Sequence, residues 1–258
     1  MLPFEAIPFI SISVVSHGQG SPVGEVLGDL ARIGGSVRIE VILTKNCAEA
    51  LPVSVDEFSY PLRVVENLVP KGFGANHNAA FQLAAGEWFC VLNPDIRMPK
   101  NPFPILLDEI ERQQAAVIAP AVLSPAGKIE DSIRRFPTPI SLAGKMLGRG
   151  VGQYSFEVGD ETFAADWVGG MFMLFRAEDY RRVGGFDEGF FLYYEDVDIC
   201  TRLWKAGRPV VACPKAQVIH DARRASRRNL RYMRWHVGSM ARYLGKHWLR
   251  QPNRAHLE

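Results

Sequence analysis

Apolar residues follow two periodicities along the first half of the chain. Short β-branched runs predict buried strands at residues 9–16, 37–44, 62–66, 87–92 and 115–119. Between them, apolar residues at helical spacing predict helices at residues 23–33, 74–85 and 102–113. Strands that alternate with helices across short loops are typical of a mostly parallel sheet with helices on both faces. The pattern therefore predicts an α/β fold.

The pattern loosens after about residue 120. Strands are predicted at residues 128–136, 171–175, 209–213 and 216–219, and helices at residues 139–147, 195–206 and 226–249. A loop containing Gly148, Gly150 and Gly152 follows the first of these helices. We expect one domain over residues 1–222, with a boundary between its halves near residue 120. A basic helix and tail over residues 223–258 complete the chain.

Composition fits a globular protein with a sizeable core. The 258 residues are 47% hydrophobic and 22% charged, with a formal net charge of +2. The cysteines lack C-x-x-C spacing, so we expect free thiols in a reducing compartment rather than a metal site. No apolar run is long enough to cross a bilayer, and the N-terminal residues lack the pattern of a signal peptide. These features predict a cytoplasmic protein.

Positive charge is concentrated towards the C-terminus. Residues 223–254 contain ten Lys or Arg and no Asp or Glu, with aromatic and aliphatic side chains interleaved. A basic amphipathic helix of this kind fits the inner surface of an anionic membrane, which predicts a peripheral contact there. The alternative is a helix that packs on the preceding domain or on the second subunit of a homodimer. No nucleic-acid motif accompanies the charge, so no nucleic-acid partner is expected.

Three polar loops follow predicted strands in the first half. They are residues 16–20 (SHGQG), 71–78 (KGFGANHN) and 93–95 (NPD). Ligands of open α/β sheets bind at the carboxyl ends of the strands. Glycines in the second loop allow close approach of the backbone, and the following helix presents its first amides to an anion. Asp95 could share a divalent cation with phosphate oxygens. Turns without a ligand are the alternative for the second and third loops.

The most informative segment is residues 184–198, GGFDEGFFLYYEDVD. Its carboxylates are Asp187, Glu195, Asp196 and Asp198. Acids are rarely buried unless they are paired or catalytic. Beside aromatic residues and glycines they suit a pocket that stacks a flat, hydroxylated ring and removes a proton from it. Three of these acids also fall in the first turn of a predicted helix, where the dipole favours them. Asp198 is expected to form a solvated i,i+4 pair with Arg202.

Taken in order, these segments resemble the family 2 glycosyltransferases of GT-A fold, and especially their rhamnosyltransferase-like branch. The resemblance extends from about residue 10 to residue 220. It rests on SVVSHGQG, KGFGANHNAA, VLNPD, DWVGG, VGGFDEGFFLYYEDVDICTRLWKAG and VIH. It implies a Rossmann-like nucleotide-binding sheet. Residues 9–120 would then form the half that binds the nucleotide-sugar, and residues 121–222 the half that binds the acceptor.

The same resemblance implies an activity. Rhamnose or another deoxyhexose would move with inversion from a dTDP- or UDP-linked donor to a saccharide or lipid-linked acceptor, in the synthesis of cell-surface polysaccharide. The implied cofactor is Mg²⁺ or Mn²⁺.

Individual roles also follow from the resemblance. Asp196 would be the base that takes the acceptor proton, with Glu195 raising its pKa by like-charge repulsion. Asp95 and His220 would hold the metal on the donor diphosphate. The implied nucleotide-sugar-binding residues are Ser16, His17, Gly18, Asn67, Gly72, Gly74, Asn76, Asn93 and Asp95. The implied acceptor-binding residues are Trp167, Gly169 and Gly170.

Two positions depart from the family pattern. The D-x-D motif is here Asn93-Pro94-Asp95, which leaves one charged metal ligand. The end of the second strand, Lys45-Asn46, lacks the acid that usually contacts the base. Two other functions therefore stay open, a catalytically degenerate nucleotide- or sugar-binding module and a sugar nucleotidyltransferase. The last would release pyrophosphate, whereas a glycosyltransferase releases a nucleoside diphosphate.

Overall fold

A computed structural model describes residues 9–33, 37–51, 54, 57–138, 152–221, 230–247 and 252. Its strands are β1 (Phe9–Ser16), β2 (Arg38–Lys45), β3 (Leu62–Glu66), β4 (Trp88–Leu92), β5 (Ile96–Arg97), β6 (Val117–Leu123), β7 (Ile133–Arg134), β8 (Phe163–Ala164), β9 (Trp167–Val168), β10 (Phe172–Arg176) and β11 (Val210–His220). Its helices are α1 (Gly20–Arg32), α2 (Phe73–Phe81), α3 (Phe103–Arg112), α4 (Ala177–Arg182), α5 (Glu195–Lys205) and α6 (Leu230–His247).

Within the described ranges, nine strands form one sheet in the order β3-β2-β1-β4-β10-β6-β11-β5, with β8 paired to β11. The first four strands of that order are mutually parallel. Strand β10 runs antiparallel to both β4 and β6, and β11 is parallel to β6. Strands β7 and β9 form a separate antiparallel pair. The predicted α/β sheet is confirmed, and β10 joins its two halves.

Each face of the sheet carries its own hydrophobic layer. Along β1, Ile10, Ile12 and Val14 point to the layer that includes residues of α1 and α3. Along β4, Phe89 and Val91 point to the opposite layer, which includes residues of α4 and α5. Side chains that alternate between faces produce this division, and the layers cover both faces with helices as predicted.

Several predicted boundaries were wrong. The strands predicted at residues 209–213 and 216–219 are one strand, β11, whose register on β6 shifts between Cys213 and Gln217. Pro214 lies in this shift; proline removes a ladder hydrogen bond, so it marks an irregularity here rather than a strand end. The strand predicted at residues 128–136 contracts to β7.

Other differences from the prediction concern the end of helix α2 and the shortest elements. Helix α2 ends at Phe81 rather than residue 85, because the amides of Leu83 and Ala84 turn back to carbonyls three residues earlier. Strands β5, β8 and β9 and helix α4 are too short to show a period. The helix predicted at residues 139–147, Gly148 and Gly150 of the following loop, and the basic residues 223–228 lie outside the described residues.

Helix α6 packs on α5 through buried polar contacts. Asp198, fully buried, accepts hydrogen bonds from Arg202 Nε and His247 Nε2, each at 2.7 Å, and pairs with Lys246 Nζ at 2.7 Å. The predicted Asp198–Arg202 pair is therefore confirmed, but the expectation that it is solvated was wrong, because Asp198 is fully buried beneath contacts from α6. Burial alone would raise the pKa of Asp198, but the His247 hydrogen bond and the Arg202 charge outweigh it and hold the pKa well below its usual range. None of the described helices has the length and apolarity that a bilayer crossing requires.

The Asp198 cluster predicts a large stability effect. Asp198→Asn removes the buried counter-charge of Arg202 and Lys246 and the acceptor of His247, so we expect the free energy of unfolding at pH 7 to fall by about 3–5 kcal/mol in urea titrations. The matched change is Glu178→Gln, which breaks the exposed i,i+4 pair with Arg182. That pair is expected to contribute about 0.3–0.5 kcal/mol. Equal effects of the two substitutions would contradict the prediction.

The difference in stability between wild type and Asp198→Asn should also depend on pH. The folded-state pKa of Asp198 is lowered, so its stabilisation is complete above the pKa of the unfolded chain and is lost as pH falls below about 4. Wild type and Asp198→Asn should therefore converge in stability at acid pH.

Candidate active site

Strands β5 and β11 bring Asp95 and His220 together. His220 pairs with Ile96 in the ladder, and the amide of Asp221 donates to the Asp95 carbonyl at 2.9 Å. His220 Nε2 lies 3.2 Å from Asp95 Oδ2, and its Nδ1 lies 2.6 Å from Glu130 Oε2. Burial would lower the pKa of His220, but its hydrogen bonds to the two carboxylates raise it to about 9. The two predicted metal ligands are therefore adjacent.

Asp95 and His220 suit a divalent cation whose remaining ligands come from a substrate. Asp95 Oδ1 is buried and has no protein hydrogen-bond partner, so it keeps free acceptor capacity beside the imidazole. No group of three or more His, Cys, Asp or Glu in the described ranges is arranged to hold a metal ion by itself. A hard cation at this corner would need phosphate and water oxygens to complete its shell.

The acidic pair at the start of α5 follows a strained turn. Tyr193 and Tyr194 have φ angles of 70° and 69°, a left-handed conformation uncommon for residues other than glycine. Asp196 Oδ1 accepts the Val197 amide at 2.8 Å. Glu195 is buried, and its Oε2 has no hydrogen-bond partner. The turn therefore positions two adjacent carboxyl groups, those of Glu195 and Asp196, at the start of α5.

Both carboxyl groups have raised pKa values, and burial is the largest cause for each. For Glu195 the negative charge of Asp196 adds to burial and raises the pKa well above its usual range. For Asp196 the hydrogen bonds from the backbone of Gly170 and Val197 oppose the effect of burial. Because Oε2 of Glu195 lacks any donor, we assign the first proton of the pair to Glu195 and the negative charge to Asp196.

One short segment contacts both ends of the site. The Gly170 amide donates to Asp196 Oδ2 at 3.1 Å. The next carbonyl, that of Met171, accepts the Asn93 amide at 2.9 Å. The turn containing Asp95 and the acid at the start of α5 are therefore linked through two consecutive residues.

Glycines permit the walls of the site to approach closely. A Cβ on Gly170 would lie 3.0 Å from the Phe73 ring, and one on Gly72 would lie 2.7 Å from the Phe191 carbonyl oxygen. The predicted glycines thus make room for protein atoms. A role for Gly72 and Gly74 in binding a nucleotide-sugar stays a prediction.

The remaining acceptor-side residues lie on β9 and just after it. Trp167 is half-buried, and its Nε1 donates to the Arg135 carbonyl at 3.0 Å. Gly169 is buried, and its amide donates to the Ser132 carbonyl at 2.7 Å. This ties β9 to the segment that contains β7. Contact of Trp167 with an acceptor stays a prediction.

Buried amides connect the loops after β2 and β3 to the start of α2. Asn46 Oδ1 accepts Asn67 Nδ2 at 2.7 Å and the Lys71 amide at 2.8 Å. Asn67 also donates to Asn76 Oδ1 at 2.7 Å, and Asn76 Nδ2 donates to the Gly72 carbonyl at 3.0 Å. The side chains of Asn46 and Asn76 therefore bond the backbone at Lys71 and Gly72, in a loop that the resemblance assigns to the nucleotide, and Asn67 bridges the two.

Asn46 is absent from the residues that the sequence predicts for the site. It is fully buried, and its amide donates to the Ser16 carbonyl at 2.9 Å. Its Nδ2 lies 3.0 Å from His17 Nδ1. Ser16 is buried, whereas His17 and Gly18 are exposed at the loop tip. The sequence signal for Asn46 is a polar residue at the end of a strand. Its contacts could not be predicted from that signal, because they come from loops that are far apart in sequence.

Comparison with known proteins agrees with this arrangement. The chain matches the family model described as glycosyltransferase like family 2 over residues 8–238. It is 29% identical over 248 residues to rhamnosyltransferase WbbL of Escherichia coli (strain K12), across 92% of this chain and 93% of that protein. It is 32% identical over 143 residues to the N-acetylglucosaminyl-diphospho-decaprenol L-rhamnosyltransferase of Mycobacterium tuberculosis (strain ATCC 25618 / H37Rv). That match covers 52% of this chain and 47% of the mycobacterial protein.

Solved structures agree on the fold. The mannosyltransferase PcManGT from Pyrobaculum calidifontis, in complex with GDP-Man and Mn²⁺, superposes with a TM-score of 0.65 at 14% identity. The match covers 93% of this chain and 64% of that one. GalNAc-T7 with UDP, GalNAc and Mn²⁺ superposes with a TM-score of 0.62 at 17% identity, over 85% of this chain and 45% of that one. The expected GT-A fold is thus confirmed, and because the family model spans most of its length, the chain belongs to the glycosyltransferase like family 2.

Proposed function

We propose that the protein is an inverting glycosyltransferase. It transfers rhamnose or another deoxyhexose from a dTDP- or UDP-linked donor to a saccharide or lipid-linked acceptor in cell-surface polysaccharide synthesis. The observation that carries the proposal is the link from Asp196 through Gly170 and Met171 to the Asn93–Asp95 turn. This link supports a single site with a base at Asp196 and a diphosphate at Asp95. The names of the two relatives described above support the choice of rhamnose, since each is a rhamnosyltransferase.

Asp196 is the proposed catalytic base. Its two oxygens are oriented by the amides of Gly170 and Val197, and its side chain is part-exposed. The acceptor hydroxyl loses its proton to Asp196 as its oxygen bonds to the anomeric carbon. The bond from that carbon to the phosphate oxygen breaks on the opposite side, and the nucleoside diphosphate leaves with the electron pair. A raised pKa makes Asp196 a stronger base than an exposed aspartate.

Asp95 and His220 are the residues that would hold Mg²⁺ or Mn²⁺. A bound cation there would offset the charge that develops on the departing diphosphate. Two of the similar structures were solved with Mn²⁺, which supports the choice of metal.

Replacement of the base should abolish transfer. Asp196→Asn keeps the size of the side chain but cannot take a proton, so we expect kcat for release of nucleoside diphosphate to fall by about 10²–10⁴-fold. Stabilisation by dTDP in a thermal-shift assay should persist. Glu188→Gln, in the same segment but exposed, is the control and should keep wild-type activity. Release of pyrophosphate instead would identify a nucleotidyltransferase, and no turnover by wild type would favour the degenerate binding module.

The dependence of rate on pH should report the acidic pair. The pKa of Asp196 is raised, so kcat/KM should decline with falling pH at values above the usual aspartate pKa of about 3.9. If Glu195 holds the first proton of the acidic pair, its carboxyl group is neutral. Glu195→Gln then exchanges it for another neutral group. This variant should keep activity near pH 7 and the same acid limb. Loss of activity, or an acid limb moved well below that of wild type, would mean that Glu195 is ionised and shares the role of base.

We further propose that the outer face of α6 rests on an anionic membrane surface. Met233 and Val237, one turn apart, are 63% and 53% exposed. The chain around them is basic and lacks acids from residue 223 to residue 254. Exposed apolar side chains within a basic helix match the interface of an acidic bilayer. Such a position would bring a lipid-linked acceptor to the site.

Vesicle binding tests this placement. Met233→Glu and Val237→Glu put charge on the apolar side, so each should weaken sedimentation with phosphatidylglycerol vesicles at low salt. Gly245→Glu adds the same charge at an exposed position where a Cβ meets nothing within 4 Å, and it should weaken binding less. If wild type ignores these vesicles but is a dimer that Met233→Glu dissociates, a second subunit covers the face instead.

A further inference from the structure

Glu130 is a carboxylate that the proposed chemistry leaves without a role. Its Oε2 lies 2.6 Å from His220 Nδ1, while Asp95 Oδ2 lies 3.2 Å from His220 Nε2. The side chains of His220 and Glu130 are only 15% and 22% exposed. Glu130 therefore lies beside the proposed metal ligands Asp95 and His220. It contacts the ring nitrogen of His220 that faces away from Asp95.

The backbone brings Glu130 to His220 across 90 positions of sequence. After β6 the chain turns back on itself, with the Ser124 amide donating to the Lys128 carbonyl and the Glu130 amide to the Val122 carbonyl, each at 2.8 Å. This turn sets Ile129 opposite Leu123. Strand β11 sets Ile219 opposite the same Leu123. The residues that follow Ile129 and Ile219, namely Glu130 and His220, therefore lie on either side of β6 with their side chains on the same face of the sheet, where they meet.

We infer that Glu130 is a positioning residue that aims His220 at the cation. By accepting the Nδ1–H hydrogen, it fixes the ring so that Nε2 faces Asp95, where a bound cation would take the place of the Nε2 proton. Glu130 cannot ligate the same ion, because the two ring nitrogens point to opposite edges. The inference rests on the proposed function, which places the metal at Asp95 and His220.

The chain offers a matched control at the next position. Asp131 is also a carboxylate of this turn, but it pairs with Arg134 at 3.0 Å rather than with His220. Its loss removes one negative charge from the same segment and leaves the imidazole contact intact. A general electrostatic effect on the cation would appear in both Glu130 and Asp131 variants, whereas orientation of His220 depends on Glu130 alone.

Mn²⁺ binding to the full-length protein, measured by electron paramagnetic resonance with dTDP and no acceptor, tests the inference without turnover. We expect Glu130→Ala to weaken Mn²⁺ binding by about 10–100-fold. Glu130→Gln, whose amide oxygen still accepts the Nδ1–H hydrogen, should lie between Glu130→Ala and wild type. Asp131→Asn should bind as wild type does. In assays, the activating Mn²⁺ concentration should rise for Glu130→Ala while kcat at saturating Mn²⁺ recovers.

A proton NMR spectrum provides a readout that does not need metal. The short Glu130–His220 hydrogen bond should give a downfield Nδ1–H resonance in wild type and Asp131→Asn, and Glu130→Ala should lose it. Equal Mn²⁺ affinity in wild type and Glu130→Ala would overturn the inference while leaving the proposed function intact. Failure of wild type to bind Mn²⁺ with dTDP would overturn the metal role itself, and the inference with it.

Discussion

The close packing of residues 186–191 against the start of α2 is the constraint on which the site depends. The Phe73 amide donates to the Phe191 carbonyl at 2.9 Å, and Gly72 has no room for a side chain there. Asn78 reaches the same segment, since its side chain donates to the Phe186 carbonyl and accepts the Phe186 amide, each at 2.9 Å. This contact joins the loop assigned to the nucleotide to the loop that carries the acids. Any shift between these two loops would therefore move Asp196, the proposed base, relative to the loop assigned to the nucleotide.

The turn after that segment is strained, and α6 holds it in place. Two consecutive left-handed residues cost of order 1–3 kcal/mol each, so surrounding contacts must stabilise them. His236 packs on the rings of both Tyr193 and Tyr194, with centroids 5.4 and 5.5 Å away. Ser239 Oγ donates to the Leu192 carbonyl at 2.8 Å. The helix that sequence analysis treats as an appendage thus supports the geometry of the acidic pair, with one face inward and Met233 and Val237 outward.

Sequence reasoning predicted what depends on local pattern and failed where contacts are distant. The period of β1 and the acids of α5 are visible within a few residues, so the fold class and the Asp198–Arg202 pair could be predicted. The direction of β10 could not, because an alternating strand reads the same way in either direction. Asn46 and Glu130 were missed for a related reason. Each acts through partners 21 or more positions away, and only the folded chain brings them together.

The two ends of the site use carboxylates in opposite ways, and their surroundings decide which. Asp95 lies against His220, which carries a pKa of about 9 and is flanked by a second carboxylate on Glu130. Asp95 thus lies where a cationic ring already contacts it, as suits a proposed metal ligand. Asp196 lies beside another buried acid and receives only backbone amides, so burial raises its pKa and favours proton uptake. Replacement of the first acid of the D-x-D motif by Asn93 fits this division. It removes a negative charge near the proposed diphosphate site, and the Asn93 amide still bonds Met171, next to the contact that orients Asp196.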